Sequence, residues 1–170
     1  MKNLPACKTC VNSGFLCTKC EEKLETGEIT EFDIDLAKDF LMLEVQDEKH
    51  EYLKDVSFFK AIDFEDVVIF VVGKGDKIRI TNDLINWFKK TYNIDKLILI
   101  EKTEKPRPVV EALIAPIKLL SLNEIFLATG EIEFKAVINE EDAEKMLFTR
   151  EEVEELTQEL TGKIVRVEFK

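Results

Sequence analysis

The chain has 170 residues, room for one compact domain or two small ones beside a minor module. With 45% hydrophobic residues it is too apolar for disorder, and no apolar run approaches the roughly 20 residues of a membrane helix. A formal net charge of −11 repels phosphate, so any contact with nucleic acid requires a local basic zone.

All four cysteines come first, as Cys7-Lys-Thr-Cys10 and Cys17-Thr-Lys-Cys20. A C-x-x-C turn directs two sulfurs at one point, and two such turns supply the four thiolates of a closed tetrahedral site. Ser13-Gly14 lets the spacer double back. The alternatives are two disulfides or four free thiols. No targeting segment precedes the cysteines, so the expectation is a cytoplasmic protein, in a compartment that disfavours disulfides. No βαβ pattern surrounds either pair, which argues against a redox couple. Four thiolates leave no open position, so the pattern predicts one structural zinc per chain, holding residues 1–28 together as a module too short to bury a core.

Glu21 to Glu25 reads as a short helix stopped by Gly27. Thr30 precedes an amphipathic helix over Glu31 to Gln46, with Ile34, Leu36, Ala37, Phe40, Leu41 and Leu43 on its apolar face. Asp47 to Asp55 is a polar linker or a fraying helix end. It carries His50, read as a solvated surface residue, with a fifth ligand role as the alternative. Val56 to Ile62 and the wholly apolar Val67 to Val72 form a hairpin through Asp63 to Asp66, the second strand covered on both faces. A loop from Gly73 to Thr81 leads to a helix over Asn82 to Tyr92 and a strand over Asp95 to Ile100.

The second half repeats that order. Pro106 and Pro108 open a helix that Pro116 should kink. Glu124 to Ala128 is a strand, turned by Thr129-Gly130. Ile132, Phe134, Ala136 and Ile138 alternate with charged residues, one face in the core and one in water. Asn139 caps a short acidic helix through Met146, Thr149 to Glu152 has capping-box spacing, and Gly162 closes the helix that follows. Val165, Val167 and Phe169 alternate in the last strand. The fold class is α+β. A four-cysteine module over 1–28 precedes two α-β-β-(α)-α-β units over 29–103 and 104–170.

This arrangement resembles the archaeal NusA-like proteins with KH domains. The resemblance is carried by Cys7, Cys10, Cys17 and Cys20, by Gly27-Glu-Ile-Thr-Glu31, by Leu160-Thr-Gly-Lys-Ile-Val-Arg166, and by Leu113-Ile-Ala-Pro-Ile117, which looks like the family's helix between units. It covers nearly the whole chain. It implies an N-terminal zinc knuckle, two type II KH units and a non-enzymatic role in transcription elongation or termination, or on ribosomal RNA. KH domains clamp a nucleic-acid backbone with a G-x-x-G loop. Here Gly73-Lys-Gly75-Asp76 is G-x-G-D, and Met146 to Arg150 has no glycine, so both loops are degenerate.

Charge divides the units. Basic residues outnumber acidic ones between Lys74 and Arg107, and the reverse holds from Asn139 to Thr161. A single-stranded RNA contact therefore belongs to the first unit, at Gly73, Lys74, Gly75, Lys77 and Arg79 with Lys89 and Lys90. The alternative is an ordinary solvated face. The loss of both glycine loops and the acidic balance support a second function, a KH scaffold recruiting a ribosomal or RNA polymerase protein. Trp87 can stack on a base or pack on the sheet. With one histidine and every cysteine committed, no catalytic constellation remains, and no catalytic residue is assigned.

Overall fold

The structure is a computed structural model that describes residues Met1 to Lys170. The chain is mixed α+β, with two three-stranded sheets and a four-cysteine cluster near its start. It divides into two compact units, Met1–Lys102 and Thr103–Lys170.

In the first unit, two short helices, α1 (Lys8–Ser13) and α2 (Thr18–Glu25), precede α3 (Glu31–Gln46). Thr30 and Asp33 cap α3 reciprocally, each side chain bonding the other's backbone N–H. The apolar stripe of α3 is buried at Leu36, Ala37, Phe40, Leu41 and Leu43. It faces a sheet of β1 (Phe58–Phe64), β2 (Val67–Val72) and β3 (Lys96–Glu101), in which β1 and β2 run antiparallel and β2 and β3 parallel. All six residues of β2 are buried. α4 (Asn82–Tyr92) returns the chain to β3, and Phe40, Phe58, Phe70 and Phe88 meet in the core with ring centroids 4.8 to 5.8 Å apart.

The cysteine segment belongs to this unit's core. Ala6, Cys10, Val11, Cys20 and Ile29 are buried in the same apolar cluster as α3, and α1 packs on α3. Ahead of it the chain is stitched to the start of β1: Lys2 N donates to Val56 O, Phe58 N to Asn3 O, and Asn3 bridges Ser57.

The second unit contains α5 (Pro106–Ile114), β4 (Leu119–Phe126), β5 (Ile132–Ile138), α6 (Arg150–Thr161) and β6 (Ile164–Phe169). Its sheet has the same order and sense, β4 antiparallel to β5 and β5 parallel to β6. The likeness extends to register. Phe58 pairs with Val72 and Lys60 with Val71, so Phe59 bulges; Leu119 pairs with Ile138 and Ser121 with Val137, so Leu120 bulges at the same point. Val72 then pairs with Glu101, and Ile138 with Phe169, each the strand's final pairing.

Several expectations are corrected. His50 is buried, on a 3-10 turn over Glu48–Asp55, with Nδ1 2.9 Å from Asp47 Oδ2; it is not a solvated residue. Pro116 does not kink α5. The helix ends at Ile114, the Ala115–Pro116 peptide is cis, and the expected helical run through Ile117 stops short. β4 starts at Leu119, ahead of the expected Glu124; its apolar and polar residues do not alternate cleanly, so the pattern does not mark its first residues. The acidic helix after Asn139 is a 3-10 turn over Glu140–Lys145. In β5 the alternation is incomplete: Val137 is buried with Ala136 and Ile138, while Ile132 is exposed.

Candidate metal centre and basic grooves

The two cysteine pairs occupy matching places. Cys7 and Cys17 are the N-caps of α1 and α2, in extended backbone, and Cys10 and Cys20 stand three residues on, in the first helical turn. N-cap and N3 side chains meet at a helix start, which is why capping boxes share this spacing. Gly14, in the left-handed region at φ 75°, reverses the chain between the pairs. The pairs are also cross-tied: Cys17 N donates to Cys10 Sγ at 3.1 Å, and Cys7 N to Cys20 Sγ at 3.4 Å.

All four sulfurs lie within 4.8 Å of one another. A tetrahedral site with metal–sulfur bonds of about 2.3 Å would hold them about 3.8 Å apart. None is disulfide-bonded; Cys7 Sγ and Cys10 Sγ are 3.0 Å apart, well beyond a sulfur–sulfur bond. Cys10 and Cys20 are buried, Cys7 and Cys17 exposed. The cluster can hold one metal ion through soft thiolate donors, and His50 is not part of it.

Electrostatics divides the thiols. The Cys10 thiol beside Cys7 lowers the Cys7 pKa, and that same sharing pushes Cys10 up to about 12. The amide N–H of Cys20 leads in bringing Cys17 down to about 7. At Cys20 the Cys7 amide favours the thiolate, but burial and the Cys17 thiol outweigh it and raise the pKa. Four sulfurs this close share protons until a cation displaces them, since a coordinating thiol is deprotonated outright.

The residues read as an RNA contact have different settings. Gly73 is buried, and a Cβ there would lie 2.2 Å from Asp76 Oδ2. That carboxylate, itself buried, accepts from Ser57 N at 2.8 Å. Gly73 thus makes room for an internal tie, and Asp76 is the residue the sequence reading missed. Nothing in G-x-G-D marks its fourth position as structural until the strand that it caps is known. Gly75 has φ 79°, so it turns the loop. Lys77 and Arg79 are exposed on a 3-10 turn, Arg79 3.7 Å from Asp76, while Lys89 and Lys90 lie in the last turn of α4. Trp87 is partly buried, edge-on to Phe88 at 4.9 Å.

Lys74 has different company. With Lys2 and Lys102 it lines a groove of about 320 Å³, over Ser57, Phe59 and Gly73. Lys2 and Asn3 also line an adjoining groove of about 480 Å³, which runs past Cys7, Cys17 and Cys20 and carries Lys8, Lys19 and Lys23. In the second unit, Met146 to Arg150 serves structure instead: Phe148 is buried, and Thr149 and Glu152 form the capping box of α6.

No family model matches the chain, and no curated protein does. Among solved structures, the chain is similar to one described as "Crystal structure of APE1850", at 19% identity over 67% of this chain and 88% of that one, with a TM-score of 0.48. No helix of the protein is long and apolar enough to cross a membrane.

Proposed function

We propose that the protein is a non-enzymatic, NusA-like RNA-binding factor built from two degenerate KH-like units, acting in transcription or on ribosomal RNA, with one structural zinc. The observation that carries this reading is the repeated register. Helix, antiparallel strand pair with an early bulge, 3-10 turn, helix and parallel strand recur with matching pairings. Such an order fits tandem type II KH units. Zinc is the ion of choice because the donor set is four thiolates with no open position. The cysteines would bind it and hold α1 and α2 against α3; the ion supplies folding energy and no chemistry.

The test is salt-dependent binding of single-stranded RNA by the zinc-loaded chain. Affinity that falls steeply between about 50 and 200 mM salt supports the reading, and no binding at low salt removes it. Elemental analysis should return about one zinc per chain; iron at that stoichiometry would replace the metal assignment. One observation favours a second reading. Leu120, Phe126 and Ile132 are exposed along the β4–β5 hairpin, a surface suited to a protein partner. Absent RNA binding, together with a partner lost on Phe126→Ser, would select that scaffold role.

A further inference from the structure

We propose that the RNA backbone runs through the groove at the bulged end of the first sheet, gripped by Lys2, Lys74 and Lys102, and continues over the cysteine segment; Lys77, Lys89 and Lys90 do not hold it. This rests on the RNA-binding reading above and assigns its site.

The groove is a product of the fold. In the first unit it forms where Phe59 bulges from β1 and the chain leaves β2 at Gly73. The second unit has a groove of about 360 Å³ at the equivalent place, lined by its own bulged residue Leu120 and by Asn139, which follows β5 as Gly73 follows β2. The fold makes this depression twice, and the side chains decide what enters it. In the second unit Lys145 is paired with Asp142 at 2.7 Å, which leaves Lys118 as the one other lysine on that lining, against three in the first. In the first, Lys2, Lys74 and Lys102 are all exposed. The acids on this wall are Asp55 and Asp76, and Asp76 is occupied by Ser57 N and Arg79.

Length argues for a polymer. The groove shares Lys2 and Asn3 with the depression beside the cysteines, where Lys8 and Lys19 continue the positive track and Lys23 is paired with Glu28 at 3.0 Å. On a chain of net charge −11, a run of lysines along two joined grooves is a local concentration against the background. Lysines are point charges without bidentate geometry, suited to successive phosphates more than to one fixed ligand. Phe59 is half-buried, and Lys102 Nζ sits over its ring, 4.4 Å from the centroid, so the ring holds this ammonium at the groove.

The experiment uses the full zinc-loaded chain and a labelled uridine oligonucleotide of about twelve residues, titrated over a salt series. Lys2→Ala/Lys74→Ala/Lys102→Ala should weaken binding roughly tenfold or more and flatten the slope of log affinity against log salt by about 2. Lys77→Ala/Lys89→Ala/Lys90→Ala should stay within about twofold of the parent. Melting curves and metal content of both variants should match the parent, since no altered ammonium group supports the core. The larger loss in the second variant, or equal losses in both, overturns the groove while RNA binding stands. No binding by the parent overturns both readings. Loss of a glutamate-rich peptide from the first variant, with RNA affinity unchanged, assigns the groove to an acidic protein and overturns it for RNA.

Discussion

At the start of α3, Asp33 holds two elements at once. One carboxylate oxygen closes the cap with Thr30, the other accepts the amide of Ala61 in β1, and the residue is fully buried. Asp33→Ala should cost about 3 kcal/mol by urea unfolding, since it removes a cap and leaves a strand N–H buried without its acceptor. Gly73 and Asp76 form a second coupled pair. Gly73→Ala should cost about 2 kcal/mol, and Gly73→Ala/Asp76→Ala less than the sum of the single changes, because the second substitution removes the atom that the new methyl would strike. Tyr92 gives a pH signature. Burial, then the hydrogen bond to Asp39, raises its phenol above the ordinary value. The unfolded phenol ionises near pH 10 (about the model-peptide value) while the folded one keeps its proton higher. Its stabilisation is therefore complete below about pH 10 and lost as pH rises through the folded value. Melting temperature should fall more steeply above that pH in the parent than in Tyr92→Phe. These residues were poorly legible in the sequence. A buried carboxylate looks like any other acid in a chain that is 35% charged, and only the strand amide it caps distinguishes it.

Elements were read more readily where one periodicity ruled. β2, an unbroken apolar run, and α3 and α4, bounded by threonine caps, have the limits that the residues imply. Boundaries slipped where signals competed. β4 carries Leu119, Leu120, Leu122, Ile125 and Phe126 without strict alternation, because its bulge shifts the facing of everything before it. His50 defied its polar neighbours because the 3-10 turn folds it inward against Asp47. The four-cysteine group was legible outright, since spacing alone fixes it. Its attachment to the core was not, because Ala6, Val11 and Ile29 are isolated apolar letters until α3 lies beside them. With the proposed zinc in place, that attachment shapes the response to metal removal. Chelation should speed hydrogen exchange across α1 and α2 and lower the melting temperature of Met1–Lys102, an effect that a loosely tethered knuckle would not produce. Unchanged melting after complete metal loss would contradict this.

For the whole molecule, charge makes two opposite demands. At −11 the chain repels itself, so moderate salt should raise its melting temperature, by about 3 °C for each kcal/mol of repulsion screened. On the proposed RNA-binding reading the same salt should weaken binding, so stability and affinity should move in opposite directions in one titration. The repeated plan was visible in element order alone. Its register was not, since Phe59 and Leu120, or Val72 and Ile138, share no letters. That shared register has a practical corollary for engineering. The two copies keep their strand pairings in step while the connection from second strand to helix differs in length and letters, running from Gly73 to Thr81 in one and from Asn139 to Thr149 in the other. Slack is tolerated there and nowhere in the ladder. A short peptide grafted after Lys145 should leave the host folded, whereas a single residue spliced into β5 would turn its inward side chains outward and wreck it.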